Sequence, residues 1–166
     1  MQDERDRLIA CIPRLRRYAR ALIGDRTGAD DLVQDTMERG WKKLSSWQRG
    51  SDMRAWLFGI MHNLHIDQVR RPAIVTDVLD DDTPLPAVAH TDSLEMRDLQ
   101  SALAALPAEQ REILLLVALE EMSYEEVAAT LGLPVGTVMS RLSRARQKLR
   151  AQMEGRAVVS TLKVVK

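Results

Sequence analysis

Aromatic side chains are scarce in this chain, with three Trp, two Tyr and one Phe among 166 residues. Its core must therefore be filled by aliphatic residues and methionine. No window alternates β-branched or aromatic residues with polar ones, so essentially no sheet is expected and the fold class is all-α. Cysteine occurs once, at Cys11, which excludes an internal disulfide and reads as a small core residue. His62 and His65 lie three apart, but no cysteine, third histidine or close carboxylate pair joins them, so no metal is expected. The chain has no glycine-rich phosphate loop and no nucleophile–base pair, which argues against an enzyme, and no cofactor is implied. The longest apolar run, Ile113–Leu119, is seven residues. That is too short to cross a bilayer, and the charged stretch Asp3–Arg7 contains no signal-peptide core. A soluble, cytoplasmic protein with no membrane contact of its own is expected.

Net charge is missing as well, with 24 basic and 24 acidic residues. For a nucleic-acid binder that is unusual, but the distribution is uneven. Residues 1–75 carry a net +4, residues 76–98 a net −6 and residues 99–166 a net +2. Two mildly basic blocks thus flank an acidic connector.

The most informative stretch is SYEEVAATLGLPVGTVMSRLSRARQKLR, Ser123 to Arg150. Ser123 and Glu126 have the spacing of a capping box, and Val127, Ala128 and Leu131 give the first helix an apolar face. Gly132 suits a left-handed helix end, and Pro134 suits the entry to a second helix. In that helix Val138, Leu142, Ala145 and Leu149 form a buried seam. Small and polar residues stand outside the seam, and five bases without an acid fall between Arg141 and Arg150. Small residues permit close approach to a major groove, Ser and Thr reach base edges, and Arg neutralises phosphates. A helical hairpin with a solvated basic face has the same pattern.

The rest of the chain reads as helices joined by short loops. The spacing of Leu8, Cys11, Ile12, Leu15, Tyr18, Ala19 and Leu22 predicts a helix over 3–23, which Pro13 kinks or divides and Gly24 ends. Thr27 is the expected cap of a helix over 28–44, with Asp30 and Asp31 in its first turn and Leu32, Val33, Met37, Trp41 and Leu44 inside. Its other face carries Asp31, Gln34, Asp35 and Glu38. The loop 45–53 contains Trp47, which either stacks on an unpaired base or packs over neighbouring helices. Asp52 caps a helix over 53–70. Residues 72–92, with three prolines and Asp80–Asp82, read as a flexible linker whose acidity is either solvation or mimicry of nucleic acid. Helicity resumes over 93–105, and Pro107 opens a further helix. The expected layout is a domain at 1–71, the linker 72–92, a helix-turn-helix domain at 93–154 and a tail at 155–166 that is either loose or docked on something.

These motifs resemble the extracytoplasmic-function (ECF) sigma factors, two-domain initiation subunits of bacterial RNA polymerase. GADDLVQDTMERGWKKL is similar to the family's polymerase-docking helix, RAWLFGIMHNLHIDQVRR to its promoter-melting helix, and the Ser123–Arg150 stretch to its promoter-reading helix-turn-helix. The resemblance covers nearly the whole chain. It implies binding to core RNA polymerase (the clamp coiled coil and the flap), to promoter DNA, and to a cognate anti-sigma factor. Asp31, Gln34, Asp35 and Glu38 would lie on the clamp. Trp47, Gln48, Arg49, Gly50, Ser51, Asp52 and Met53 would hold a base flipped from the minus-ten element, with Asn63 helping to read it. Arg54, Arg70 and Arg71 would contact the strand. Gly136, Met139, Ser140 and Ser143 would face minus-thirty-five bases, and Thr137, Arg141 and Arg144 their backbone. Met139 and Ser143 stand where family members often carry basic or bulky residues, which shifts preference toward DNA shape.

Two other readings compete. A stand-alone helix-turn-helix regulator would leave the first domain without a task, and no heptad seam supports its dimerisation. A sigma-like decoy that titrates an anti-sigma factor has no need of the basic face that Arg141, Arg144 and Arg146 provide.

Overall fold

The structure, a computed structural model, describes residues 2–70 and 94–164, with side chains as far as residue 155. Arg71 and the expected linker 72–92 lie outside the described residues. Among the described residues eight α-helices follow one another: α1 (Gln2–Ala10), α2 (Ile12–Ile23), α3 (Arg26–Lys42), α4 (Met53–Arg70), α5 (Leu94–Ala104), α6 (Ala108–Ala118), α7 (Tyr124–Leu131) and α8 (Val135–Val164), with a 3-10 turn at Leu44–Ser46. No strand occurs among the described residues.

Local chemistry sets these boundaries. Pro13 lacks an N–H and its ring would strike the carbonyl of residue 9, so the first predicted helix is divided rather than kinked. The break falls at Cys11, whose N–H donates to the Leu8 carbonyl at 3.1 Å while its own carbonyl accepts from Leu15 at 3.0 Å. Gly24, at φ +76°, ends α2. Asp25, not Thr27, caps α3: its carboxylate accepts from the Gly28 N–H at 3.0 Å. The helix therefore starts two residues earlier than expected, and Asp30 and Asp31 fall in its second turn. Asp52 accepts from the Arg54 N–H at 2.9 Å at the head of α4, as its position predicts.

Helices α2, α3 and α4 pack around Leu15, Tyr18, Leu22, Leu32, Leu57, Phe58 and Met61, all buried. Tyr18 meets Phe58 edge-on, with ring centroids 4.8 Å apart. Gly40 lets α3 approach α4 closely, since a Cβ there would stand 2.8 Å from a Leu57 methyl. In the second unit Ile113, Leu116, Val127, Val138, Leu142 and Ala145 form the equivalent interior. Trp41, expected inside, is 47% exposed, and Ala118 also faces outward.

The two units pack on each other. α2 lies against α6 and α4 against α7, and the buried apolar residues of both join in one continuous cluster. Gly59 of α4 faces the Thr130 carbonyl of α7, 3.5 Å from where a Cβ would stand. Where no further helix was expected in the tail, α8 runs on to Val164. Gly155 weakens a helix by only about 1 kcal/mol, and no proline or cap follows to stop it.

Candidate nucleic-acid interface

The helix-turn-helix forms as its residues dictate. The Ser123 hydroxyl accepts from the Glu126 N–H at 3.1 Å, and the Glu126 carboxylate accepts from the Ser123 N–H at 3.2 Å. Gly132 turns the chain at φ +67°, and the Pro134 carbonyl accepts from Thr137 at 3.0 Å to start α8. Val138, Leu142 and Ala145 are buried against α6 and α7, which rotates the opposite face outward. Gly136, Met139, Ser140, Ser143 and Arg144 are all exposed there. Thr137 is half-buried. Arg141 is held to Glu109 at 3.7 Å and must leave that carboxylate to reach a phosphate.

On α3, Asp31, Gln34, Asp35 and Glu38 stand exposed at helical spacing along one face. Neighbouring Asp30 is flanked by Arg16 at 4.0 Å and Arg20 at 3.9 Å. Among the described residues, by contrast, no cation pairs with Asp31 or Asp35, and Gln34 donates weakly to Glu38 at 3.5 Å. The strip therefore projects uncompensated negative charge. Trp41 extends it with an exposed ring, over which the Arg5 guanidinium lies at 5.1 Å. Sequence periodicity assigned Trp41 to the core and so missed this aromatic edge.

The loop before α4 divides by depth. Trp47, 7% exposed, and Met53 are buried and support the loop from beneath, so the Trp47 ring is not offered for stacking. Gln48, Arg49, Gly50, Ser51 and Asp52 are exposed. Gly50 at φ +90° and the Ser51 hydroxyl, donating to the Gln48 carbonyl at 2.7 Å, shape the turn. Arg49 reaches Glu4 of α1 at 2.7 Å. A depression of about 410 Å³ lies between loop and helix, lined by Asp3, Glu4, Arg7, Trp47, Arg49 and Gly50. That α1 walls this depression was not readable from the loop sequence. Asn63 and Arg70 are exposed on α4. Arg54 points instead toward the second unit, donating to the Glu120 carbonyl at 3.0 Å and to Asp52 at 3.4 Å.

Polar residues at the join of the two units went unnoticed in the sequence. His62 Nδ1 meets Glu112 Oε1 at 2.5 Å, both largely buried. Burial drives the His65 imidazole below its ordinary pKa, with Glu112 opposing and His62 and Arg111 adding to the shift. Burial likewise raises the Tyr18 hydroxyl, helped by Glu112 and Glu120. Glu112 and Glu120 sit at the edges of an apolar run, where an acid looks like solvated surface; only the packing of α6 on the first unit buries them. Among the described residues no group of three or more His, Cys, Asp or Glu is placed to hold a metal ion, and no helix is long and apolar enough to cross a membrane.

Known proteins share this arrangement. The family profile for the Sigma2 domain of PhyR matches residues 8–62, and the profile for Sigma-70 region 4 matches residues 96–149. The chain is 41% identical over 150 residues to the ECF RNA polymerase sigma factor EcfG of Rhodopseudomonas palustris, covering 89% of this chain and 83% of that protein. It is 40% identical over 145 residues to the ECF RNA polymerase sigma factor SigE of Mycolicibacterium smegmatis, covering 82% of this chain and 56% of that protein. Among solved structures it is similar to the sigma factor RpoE of Bartonella quintana in complex with the anti-sigma factor NepR, with a TM-score of 0.77, 36% identity, and 93% and 98% of the two chains covered. It is also similar to CnrH in complex with the cytosolic domain of CnrY, with a TM-score of 0.64, 33% identity, and 85% and 80% covered.

Proposed function

The chain belongs to the ECF family of RNA polymerase sigma factors, and from that premise we propose which of its surfaces does what. It binds core RNA polymerase and directs promoter-specific transcription initiation. Sigma factors are not enzymes, and promoter opening here draws on binding alone. Core polymerase works in the cytoplasm, and so does this chain. The first unit, 1–71, docks on the polymerase and takes the minus-ten element. The second, 93–154, reads the minus-thirty-five element and meets the flap.

The observation that carries this reading is the uncompensated strip of Asp31, Gln34, Asp35 and Glu38 on α3, which lies on the clamp coiled coil. Complementary charge at such a contact steers encounter and fixes register. The exposed residues Gln48–Asp52 clasp a flipped minus-ten base, with Trp47 and Met53 bracing the loop and Asn63 contributing from α4. Arg54, Arg70 and Arg71 hold the strand. A base captured outside the stack favours the unpaired duplex, so opening needs no hydrolysis. On α8, Gly136, Met139, Ser140 and Ser143 face bases, while Thr137, Arg141 and Arg144 hold phosphates.

An anti-sigma factor controls the chain, in keeping with the solved relative RpoE of Bartonella quintana, which is bound to the anti-sigma factor NepR. One observation favours the decoy reading, namely the match of residues 8–62 to the Sigma2 domain of PhyR, a protein described as an anti-anti-sigma factor in its complex with NepR. The exposed basic face of α8 and the 41% identity to a sigma factor outweigh it. Size-exclusion chromatography with core bacterial RNA polymerase tests the proposal. The folded protein is expected to co-elute, and Asp35→Arg to abolish co-elution while leaving helix content unchanged. A folded, inhibitor-free chain that elutes alone would refute the sigma reading.

A further inference from the structure

An acidic side chain is buried where the two units meet. Glu120, in the loop between α6 and α7, is 1% exposed. Its carboxylate lies 3.4 Å from Arg17 of α2 and 3.9 Å from Arg54 of α4. Arg54 also donates to the Glu120 carbonyl at 3.0 Å, and Arg17 to the Leu119 carbonyl at 3.2 Å. Among the described residues carboxylate oxygen Oε2 finds no hydrogen-bond donor, and the nearby guanidinium groups offset its loss of water. The next residue, Glu121, adopts φ +55°, a strained shape for a side chain that persists only where the surroundings impose it. Both units thus hold this loop in place.

Of the two arginines, Arg17 keeps 56% of its side chain in water, whereas Arg54 keeps only 21%. Arg54 is also the one that neighbours the exposed loop, through Asp52. We propose that Glu120 is an internal stand-in for a DNA phosphate: the closed molecule keeps Arg54 on Glu120, and single-stranded promoter DNA competes with closure for that guanidinium. Arginine suits carboxylate and phosphate alike, and the Arg54 guanidinium, 3.9 Å from the Glu120 carboxylate and donating to the Glu120 carbonyl at 3.0 Å, is not free for a phosphate while the molecule is closed. Closure therefore masks a strand contact, and opening supplies it. The inference rests on the reading of Arg54 as a strand contact and is independent of the docking strip on α3.

The test uses the full chain. Dyes on Lys43→Cys and Lys148→Cys, with Cys11→Ser, report the separation of the units by energy transfer. Salt titrations with mixed-sequence single-stranded DNA report phosphate contacts. Glu120→Lys is expected to lower energy transfer and to steepen the slope of log affinity against log salt by about 0.7, the value for one added phosphate contact on a single strand. Arg54→Ala should erase that gain in the Glu120→Lys background and change little in the parent chain. Should Glu120→Lys unfold, Glu120→Gln keeps the side-chain volume and is expected to move both readouts in the same direction by a smaller amount. A slope that stays at the parent value in the folded variants overturns the proposal. So does a slope that steepens without loss of energy transfer, or one that Arg54→Ala leaves steep. None of these outcomes touches co-elution with core polymerase, so failure here is distinct from failure of the sigma reading.

Discussion

Arg111 ties three segments with one guanidinium. It donates to the Leu103 carbonyl at 2.8 Å, to Ala104 at 3.0 Å, to Leu106 at 2.8 Å and, across the join, to Leu22 of α2 at 2.8 Å. The Leu103, Ala104 and Leu22 carbonyls lie in the last turns of α5 and α2, where the helix dipole favours a cation. His65 lies close to this group and to Glu112, and neither of its ring nitrogens has a hydrogen-bond partner among the described residues. Because burial lowers its pKa, the folded chain resists a proton that the unfolded chain accepts below about pH 6.5. The contribution of His65 to stability is thus full above that pH and is lost as pH falls through the window beneath it. Denaturation at pH 7.5 and pH 5.5 should find that His65→Leu loses less stability on acidification than the parent chain does. Parallel losses would remove His65 from the account.

At the scale of the helix, the start of α8 is the part most readable from sequence. Ser123, Glu126, Gly132 and Pro134 act through bonds within a few residues, and so their spacing is enough to predict the cap, the turn and the outward face. The same locality explains the correct placing of Asp52 and Gly24. Thr27 failed as a cap because Asp25, two residues earlier, presents a better acceptor to the same turn. Trp41 failed because periodicity marks an apolar stripe without saying how far a partner covers it. Helix α3 extends beyond its cover, and the ring is left beside the acidic strip. Arg54 and Arg141 were readable as bases but not as bases already held by Glu120 and Glu109, since those partners are distant in sequence. For α8 itself, Arg144 is exposed, and among the described residues no acid pairs with it. Arg144→Ala should weaken binding to double-stranded DNA across sequences and reduce the salt slope by about 0.9, one phosphate contact. A base-specific loss at constant slope would move Arg144 from backbone to base readout.

For the molecule as a whole, distance decides what the closed form can do. Elements centred near minus ten and minus thirty-five lie about 25 base pairs apart, or roughly 85 Å at about 3.4 Å per step. A compact chain of this length has a radius of gyration of about 15 Å. If the two units take these elements as proposed, the closed arrangement is too small to occupy both on straight DNA, and α4 must part from α7 and α2 from α6. What parts is a shared interior, because the apolar cluster runs without interruption from Leu15 and Leu57 to Val127 and Leu142. That continuity has a consequence for the covalent chain. If burial of common surface holds the units together, joining them in one chain adds proximity, a high effective concentration of one half around the other. Polypeptides 1–70 and 94–166, expressed separately and mixed, should then find each other and co-purify, more weakly than the intact chain by the lost effective concentration. Such a split protein would be a complementation pair, its reassembly a direct readout of closure and its dissociation a readout of the step that precedes promoter engagement.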